Sequence, residues 1–231
     1  MQIPSTDVAE ILSTSGFDWI AVDLEHGAVA RHQLPDLFRA IELHGTLPFA
    51  RVAEPTGILC QQALDCGAAG VVVPRVEQAS QLADIIAGCK WPPAGRRGVG
   101  FSRANVFGRF FEQYKAESQH PFIVAQIESE AAVRNLGSLL EVAGLDAVMV
   151  GPYDLSASLG VPGEVDHSTV RASVAEVVRV ARLAKVPSGI HVVQPDEKRL
   201  EIEIAAGHQF LAYGTDAVFL SSLARNPRGA N

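Results

Sequence analysis

Lysine is scarce in this chain, confined to Lys90, Lys115, Lys185 and Lys198. None of them ends an apolar strand-like run, the place where parallel α/β folds keep their chemistry. Covalent imine catalysis needs a lysine amine inside the site, so it is disfavoured. Cysteine is as sparse: Cys60, Cys66 and Cys89 are odd in number and form no C-x-x-C pair. That pattern suits reduced, buried thiols in a cytoplasmic protein rather than a disulfide framework. There is no H-E-x-x-H and no close histidine pair, which argues against zinc. Nor is there a G-x-S-x-G or a credible serine or cysteine triad. No G-x-G-x-x-G turn follows the first strand-like run, and Gly95, Gly98 and Gly100 match a glycine-rich loop only loosely. A doubly wound dinucleotide-binding sheet is therefore the weaker architecture, and no organic cofactor is expected. A secretory leader and an apolar run of membrane-spanning length are both missing. The net charge of −7 argues against nucleic acid, which selects basic surfaces.

What is present is the composition of one globular domain with a substantial core: 231 residues, 48% hydrophobic and 19% charged. Strand-like runs end near residues 3, 24, 52, 74, 127, 150, 193 and 213, each followed by a helical pattern. The consecutive valines of Gly70 to Pro74 mark a strand buried on both faces. The alternation predicts an α/β (β/α)8 TIM barrel over residues 1–224, with the first strand shortened at the amino terminus and 225–231 as a loose tail. Residues 91–121 interrupt the rhythm with a long loop and then an aromatic helix carrying Phe107, Phe110, Phe111 and Tyr114 at helical spacing. A packing face is the plainer reading of that stripe, a lid or subunit contact the sharper one.

In such a barrel the polar residues at strand exits form the site. Here they are Asp23, Glu25 and His26, then Arg51, then Gln126 and Glu128, then Asp154. Glu128 and Asp154 end neighbouring strands and offer two carboxylates to a hard cation such as Mg²⁺ or Mn²⁺, with Co²⁺ also possible. The competing reading has these acids capping helices or pairing with arginine. His26 is a candidate acid–base group that Asp23 would orient, histidine being the residue type that exchanges protons near neutral pH. Arg51 offers a fixed, planar cation for a carboxylate or an enolate oxygen. His191 ends the seventh run, with a structural role as the plainer reading and a place at the mouth as the sharper one, while the other histidines lie in helices or loops. The last two loops, Val193-Gln-Pro-Asp-Glu and Tyr213-Gly-Thr-Asp-Ala, are a poor match to a barrel phosphate pocket.

Taken together, Gly16-Phe-Asp-Trp-Ile-Ala-Val-Asp-Leu-Glu-His26, Gln126-Ile-Glu128 and Gly151-Pro-Tyr-Asp-Leu-Ser156 resemble the HpcH/HpaI family of metal-dependent (class II) pyruvate aldolases. The loop Gly95-Arg-Arg-Gly-Val-Gly100 with Arg103-Ala104 is similar to that family's long-loop motif, and the resemblance runs from about Gln2 to the last helix. It implies a (β/α)8 barrel assembled as a homo-hexamer, a trimer of dimers with exchanged terminal helices. It also implies cleavage of a 4-hydroxy-2-oxo acid to pyruvate and an aldehyde, the metal acting as Lewis acid. By position, Glu128 and Asp154 would be the metal ligands, Arg51 would steady the enolate, and His26 with Asp23 would handle protons. Gln126 would sit beside the metal, backbone amides around Tyr153 and Asp154 would hold the substrate carboxylate, and Asp65 would reach the site from a neighbouring subunit. Two departures stand out: the first strand is shorter than the family's, and Tyr153 occupies a position where a small residue is usual. The family also holds condensing, citrate-forming enzymes, and a barrel that binds a dicarboxylate without chemistry is the third alternative.

Overall fold

The computed structural model describes residues 1–226 and 229. The elements follow in chain order as α1 (Thr6–Ser13), β1 (Trp19–Asp23), α2 (Leu34–Glu42), β2 (Leu47–Arg51), α3 (Gly57–Asp65), β3 (Gly70–Val73) and α4 (Ala79–Cys89). The second half supplies α5 (Phe111–Glu117), β4 (Phe122–Ile127), α6 (Glu130–Arg134), α7 (Leu136–Leu140), β5 (Ala147–Val150) and α8 (Pro152–Ser158). It closes with α9 (Ser168–Ala184), β6 (Ser188–Val192), α10 (Glu197–Ala206), β7 (Phe210–Tyr213) and α11 (Asp216–Leu223). Local chemistry sets many of the helix starts: Ser5, Thr56, Ser129, Asp196 and Thr215 each accept a first-turn backbone N–H that the helix itself leaves unpaired.

The strands form one parallel sheet in the order β1 to β7, each paired with the next. Alternation along them separates two cores. Val71, Val73, Ile123, Ala125, Ile127, Val148, Val150 and Ile190 pack outward against the helices. Phe49, Val72, Val124, Ala147 and Met149 pack inward, where Trp19, Phe122, Phe210 and Ala212 join them. A sheet buried on both faces explains the unbroken valine run of β3. The curl brings its two edges together, for Trp19 of β1 stacks on Phe210 of β7 with centroids 4.5 Å apart and planes 3° from parallel. Phe49 and Phe122 complete this aromatic floor at the amino ends of the strands.

The expected first strand is corrected. Residues 1–3 form no strand, and the sheet is a curled, TIM-like array of seven rather than a closed eight. Met1 lies along the edge of β1 that β2 leaves open, its ammonium donating to the Ala21 carbonyl at 2.7 Å and its carbonyl accepting from the Asp23 N–H at 2.9 Å. The next two N–H groups, of Gln2 and Ile3, are taken by the Asp216 carboxylate at 2.7 and 2.9 Å, so no ladder continues. The aromatic helix is likewise shorter than the spacing predicted. Val106, Phe107 and Gly108 all carry positive φ, which postpones the helix to Phe111 and leaves Phe107 and Phe110 exposed. Phe111 and Tyr114 do pack, both against Trp91. The expected loose tail, 225–231, lies partly outside the described residues. No helix among those described is long and apolar enough to cross a membrane.

Candidate active site

The carboxyl ends of the strands open into a cavity of about 460 Å³ lined by Asp23, His26, Arg51, Gln126, Tyr153, Asp154 and His191 among others. Five strands and their following turns deliver these side chains, and the barrel-like alternation aims them inward.

Asp23 and Arg51 end adjacent strands and face each other in register. The guanidinium grips the carboxylate with both prongs, Nε to Oδ1 at 2.9 Å and Nη2 to Oδ2 at 2.6 Å. Asp23 also accepts from Gln2 Nε2 at 3.1 Å and from the N–H groups of Glu25 and His26 at 3.0 and 3.2 Å. Burial would raise the Asp23 carboxyl, yet the Arg51 fork and these donors hold it well below the usual carboxylate range. Arg51 reaches a second acid as well, Glu25 at 3.4 Å, and Arg75 lies 3.8 Å from that same acid. The expectation that Asp23 orients the His26 ring is therefore corrected: its oxygens are committed to Arg51, Gln2 and two backbone amides. Only the His26 backbone meets it, and the imidazole stands exposed at the cavity wall.

Glu128 follows β4 and is buried. Its Oε1 accepts from the Arg75 N–H at 2.6 Å, and its Oε2 from Gln126 Nε2. Burial, with the charges of Asp154 and Glu25 adding to it, pushes the Glu128 carboxyl up to about 7 despite those two donors. Two donors are too few for a buried carboxylate. Gln126 Oε1, beside it, is buried with no partner. Asp154, in the first turn of α8, is exposed to the cavity, and its carboxylate takes no hydrogen bond among the described residues. Gly151 leaves the space between: a Cβ there would lie 2.8 Å from Gln126 Nε2 and 3.0 Å from Glu128 Oε2.

These donors fit a hard divalent cation: oxygen-only, two carboxylates, and an amide oxygen lacking a donor. No cluster of three or more His, Cys, Asp or Glu suited to a metal exists among the described residues. Further positions would fall to water or substrate oxygens, the arrangement Mg²⁺ favours.

Asp65, at the end of α3, does not line the cavity of its own chain; it pairs with the buried Arg97 at 2.6 Å. Arg97 also donates to Tyr114 Oη at 3.0 Å within the 91–121 segment, which its pairing with Asp65 ties to α3. Tyr153 does line the cavity and is 44% exposed. Sequence reasoning passed over Arg75, whose left-handed backbone (φ 52°) turns its N–H onto Glu128. Pro74 after the valine run was the one available signal of an abrupt turn there.

The family model described as HpcH/HpaI aldolase/citrate lyase matches residues 2–222. The chain is 37% identical to a 2-keto-3-deoxy-L-rhamnonate aldolase of Klebsiella pneumoniae over 217 residues, covering 93% of this chain and 80% of that one. It is 32% identical to a hydroxypyruvate/pyruvate aldolase of Roseobacter denitrificans over 222 residues, covering 95% and 86%. Among solved structures, an HpcH/HpaI aldolase/citrate lyase family protein of Burkholderia cenocepacia superposes with a TM-score of 0.90 at 29% identity, covering 96% of this chain and 88% of that one. With nearly its whole length matched in sequence and in fold, the chain belongs to the HpcH/HpaI aldolase/citrate lyase family.

Proposed function

We propose that the protein is a carbon–carbon lyase, a class II aldolase that cleaves and forms a 4-hydroxy-2-oxo acid through pyruvate and an aldehyde. The observation that carries this is the closeness of two acids, Glu128 and Asp154, each within electrostatic reach of the other, beside an unpartnered amide oxygen of Gln126 and near the Arg51 guanidinium. Glu128 and Asp154 would hold Mg²⁺ or Mn²⁺, which supplies Lewis acidity at the 2-oxo group. Arg51, locked by Asp23, presents positive charge where the enolate oxygen develops and spends none of that alignment during the reaction. Backbone N–H groups at Tyr153 and Asp154 orient the substrate carboxylate. His26, with an exposed ring on the cavity wall, takes the 4-hydroxyl proton on cleavage and returns it on condensation.

The curated relatives named above support aldol chemistry more than the condensing alternative. Asp65 joins this scheme only through a second copy, so the reading includes a homo-oligomer, taken as a hexamer. The Met1–Ile3 stretch takes the place of a first barrel strand along the open edge of β1, bound to β1 and to Asp216 rather than paired as a strand. Three buried, unpaired cysteines suit a reducing cytoplasm.

Proton–deuterium exchange at the pyruvate methyl group, followed by NMR, tests the reading. Exchange that appears with Mg²⁺ or Mn²⁺ and stops with a chelator is expected. Folded protein that exchanges nothing under any divalent metal would sink it.

A further inference from the structure

One polar group in the cavity has no part in this scheme. His191 lies on the inner face of β6, since its neighbour Ile190 packs outward with the helices. Ile127 pairs with Val150, and Val150 with Ile190. One residue further along, Glu128, Gly151 and His191 therefore stand abreast on the inner face. Gly151 has no side chain, so nothing from β5 fills the space between the carboxylate and the imidazole.

The His191 ring has a defined hydrogen-bonding state. Its Nε2 lies 3.1 Å from the Gly214 carbonyl oxygen, which can only accept, so Nε2 carries the hydrogen. Gly214 is itself fixed, its N–H donating to the Val192 carbonyl at 2.8 Å. Nδ1 is then a bare acceptor. It has no partner among the described residues, and the ring lines the cavity. Burial, with neighbouring Arg51 adding to it, holds the His191 imidazole below its ordinary value and so favours the neutral ring, whose one hydrogen is all that the Gly214 contact requires.

A neutral acceptor needs a donor. The carbonyl and carboxylate groups of pyruvate and of a plain aldehyde have none, and a hydroxyl does. The geometry points to His191 as a specificity residue that accepts, through Nδ1, a hydrogen bond from a hydroxyl on the aldehyde half of the substrate. The site accordingly prefers 2-hydroxyaldehydes. This rests on the aldolase reading above and narrows its substrate class.

The test uses the metal-loaded enzyme, pyruvate, and two aldehydes that differ by hydroxyl against methyl: glycolaldehyde and propanal. The wild type favours glycolaldehyde in kcat/KM. In His191→Leu that preference falls roughly five- to tenfold, the loss of one neutral hydrogen bond. In His191→Asn, whose amide oxygen still accepts, part of it returns. A preference within about twofold of wild type in a folded His191→Leu protein overturns the proposal. Pyruvate methyl exchange without aldehyde is run on the same proteins. A loss there as large as the loss with glycolaldehyde places His191 in proton transfer and overturns it also. Wild-type enzyme that shows no exchange sinks the aldolase reading, a failure visible before any variant is made.

Discussion

Asp23 carries more of the site than its place in an Asp-Leu-Glu-His string suggests. It holds Arg51 by two charge-assisted hydrogen bonds in a pocket where its own side chain is 8% exposed. Removing the acid would leave a buried guanidinium with only the longer contact to Glu25, so Asp23→Asn should destabilise the fold by about 3 kcal/mol near neutral pH. The pH dependence has a definite sign. A carboxyl depressed in the folded state lends stability that is fully present above its ordinary value of 3.8 and is lost as pH falls towards the folded one. Urea unfolding of wild type and Asp23→Asn should show a gap that is constant above about pH 5 and narrows below 3.8. A gap unchanged at pH 3 would mean that the pair does not stabilise the folded state.

At the scale of the element, the turn from β5 into α8 does two things at once. Pro152 fits the first helical turn, where its missing N–H costs nothing, and the turn sets Asp154 facing the cavity. Gly151 before it provides the room in which Glu128 and Gln126 lie side by side. A methyl group there would press on both, and supporting contacts of this kind weigh on metal affinity about as they do on activity. Gly151→Ala should therefore weaken Mn²⁺ binding at least about tenfold by titration calorimetry, with little change in the far-ultraviolet circular dichroism. Unaltered affinity would show that the Glu128 carboxylate adjusts without loss. The segment 99–111 illustrates the opposite case. Its aromatic spacing looked helical, yet three consecutive positive φ values from Val106 to Gly108 interrupt it, and side-chain periodicity carries no sign of φ.

For the whole molecule, the seam between β1 and β7 is the point of interest. No strand among the described residues pairs across it, and the curl is held by the Trp19–Phe210 stack on the cavity floor together with Met1, Gln2 and Ile3 at the rim. Gly70 makes room for that floor, since a Cβ would lie 2.4 Å from the Phe49 ring. Trp19→Ala removes the ring shared by both edges and should cost about 3 kcal/mol or more, read from the urea midpoint. If the loss is under about 1 kcal/mol, the stack is not what closes the curl.

The parallel α/β alternation, the positions of seven strands to within a residue or two, and the acids and the arginine after them are legible in the amino-acid order alone. Burial of a strand on both faces and capping chemistry are local, and they are written in neighbouring residues such as Val71 to Val73, Thr56 and Ser129. Which of these groups meet is settled by the folded sheet. Asp23 could have held His26 three residues away, but a parallel register set it opposite Arg51, whose fork competes better than an imidazole for a carboxylate. The Arg75 N–H on Glu128, the His191 ring on the Gly214 carbonyl and the turning of residues 2 and 3 onto Asp216 all depend on backbone direction and on contacts across 23 to 214 residues of chain. Such pairings arise only when the sheet curls, because the sheet's curvature, not the local pattern, brings those groups within hydrogen-bonding distance.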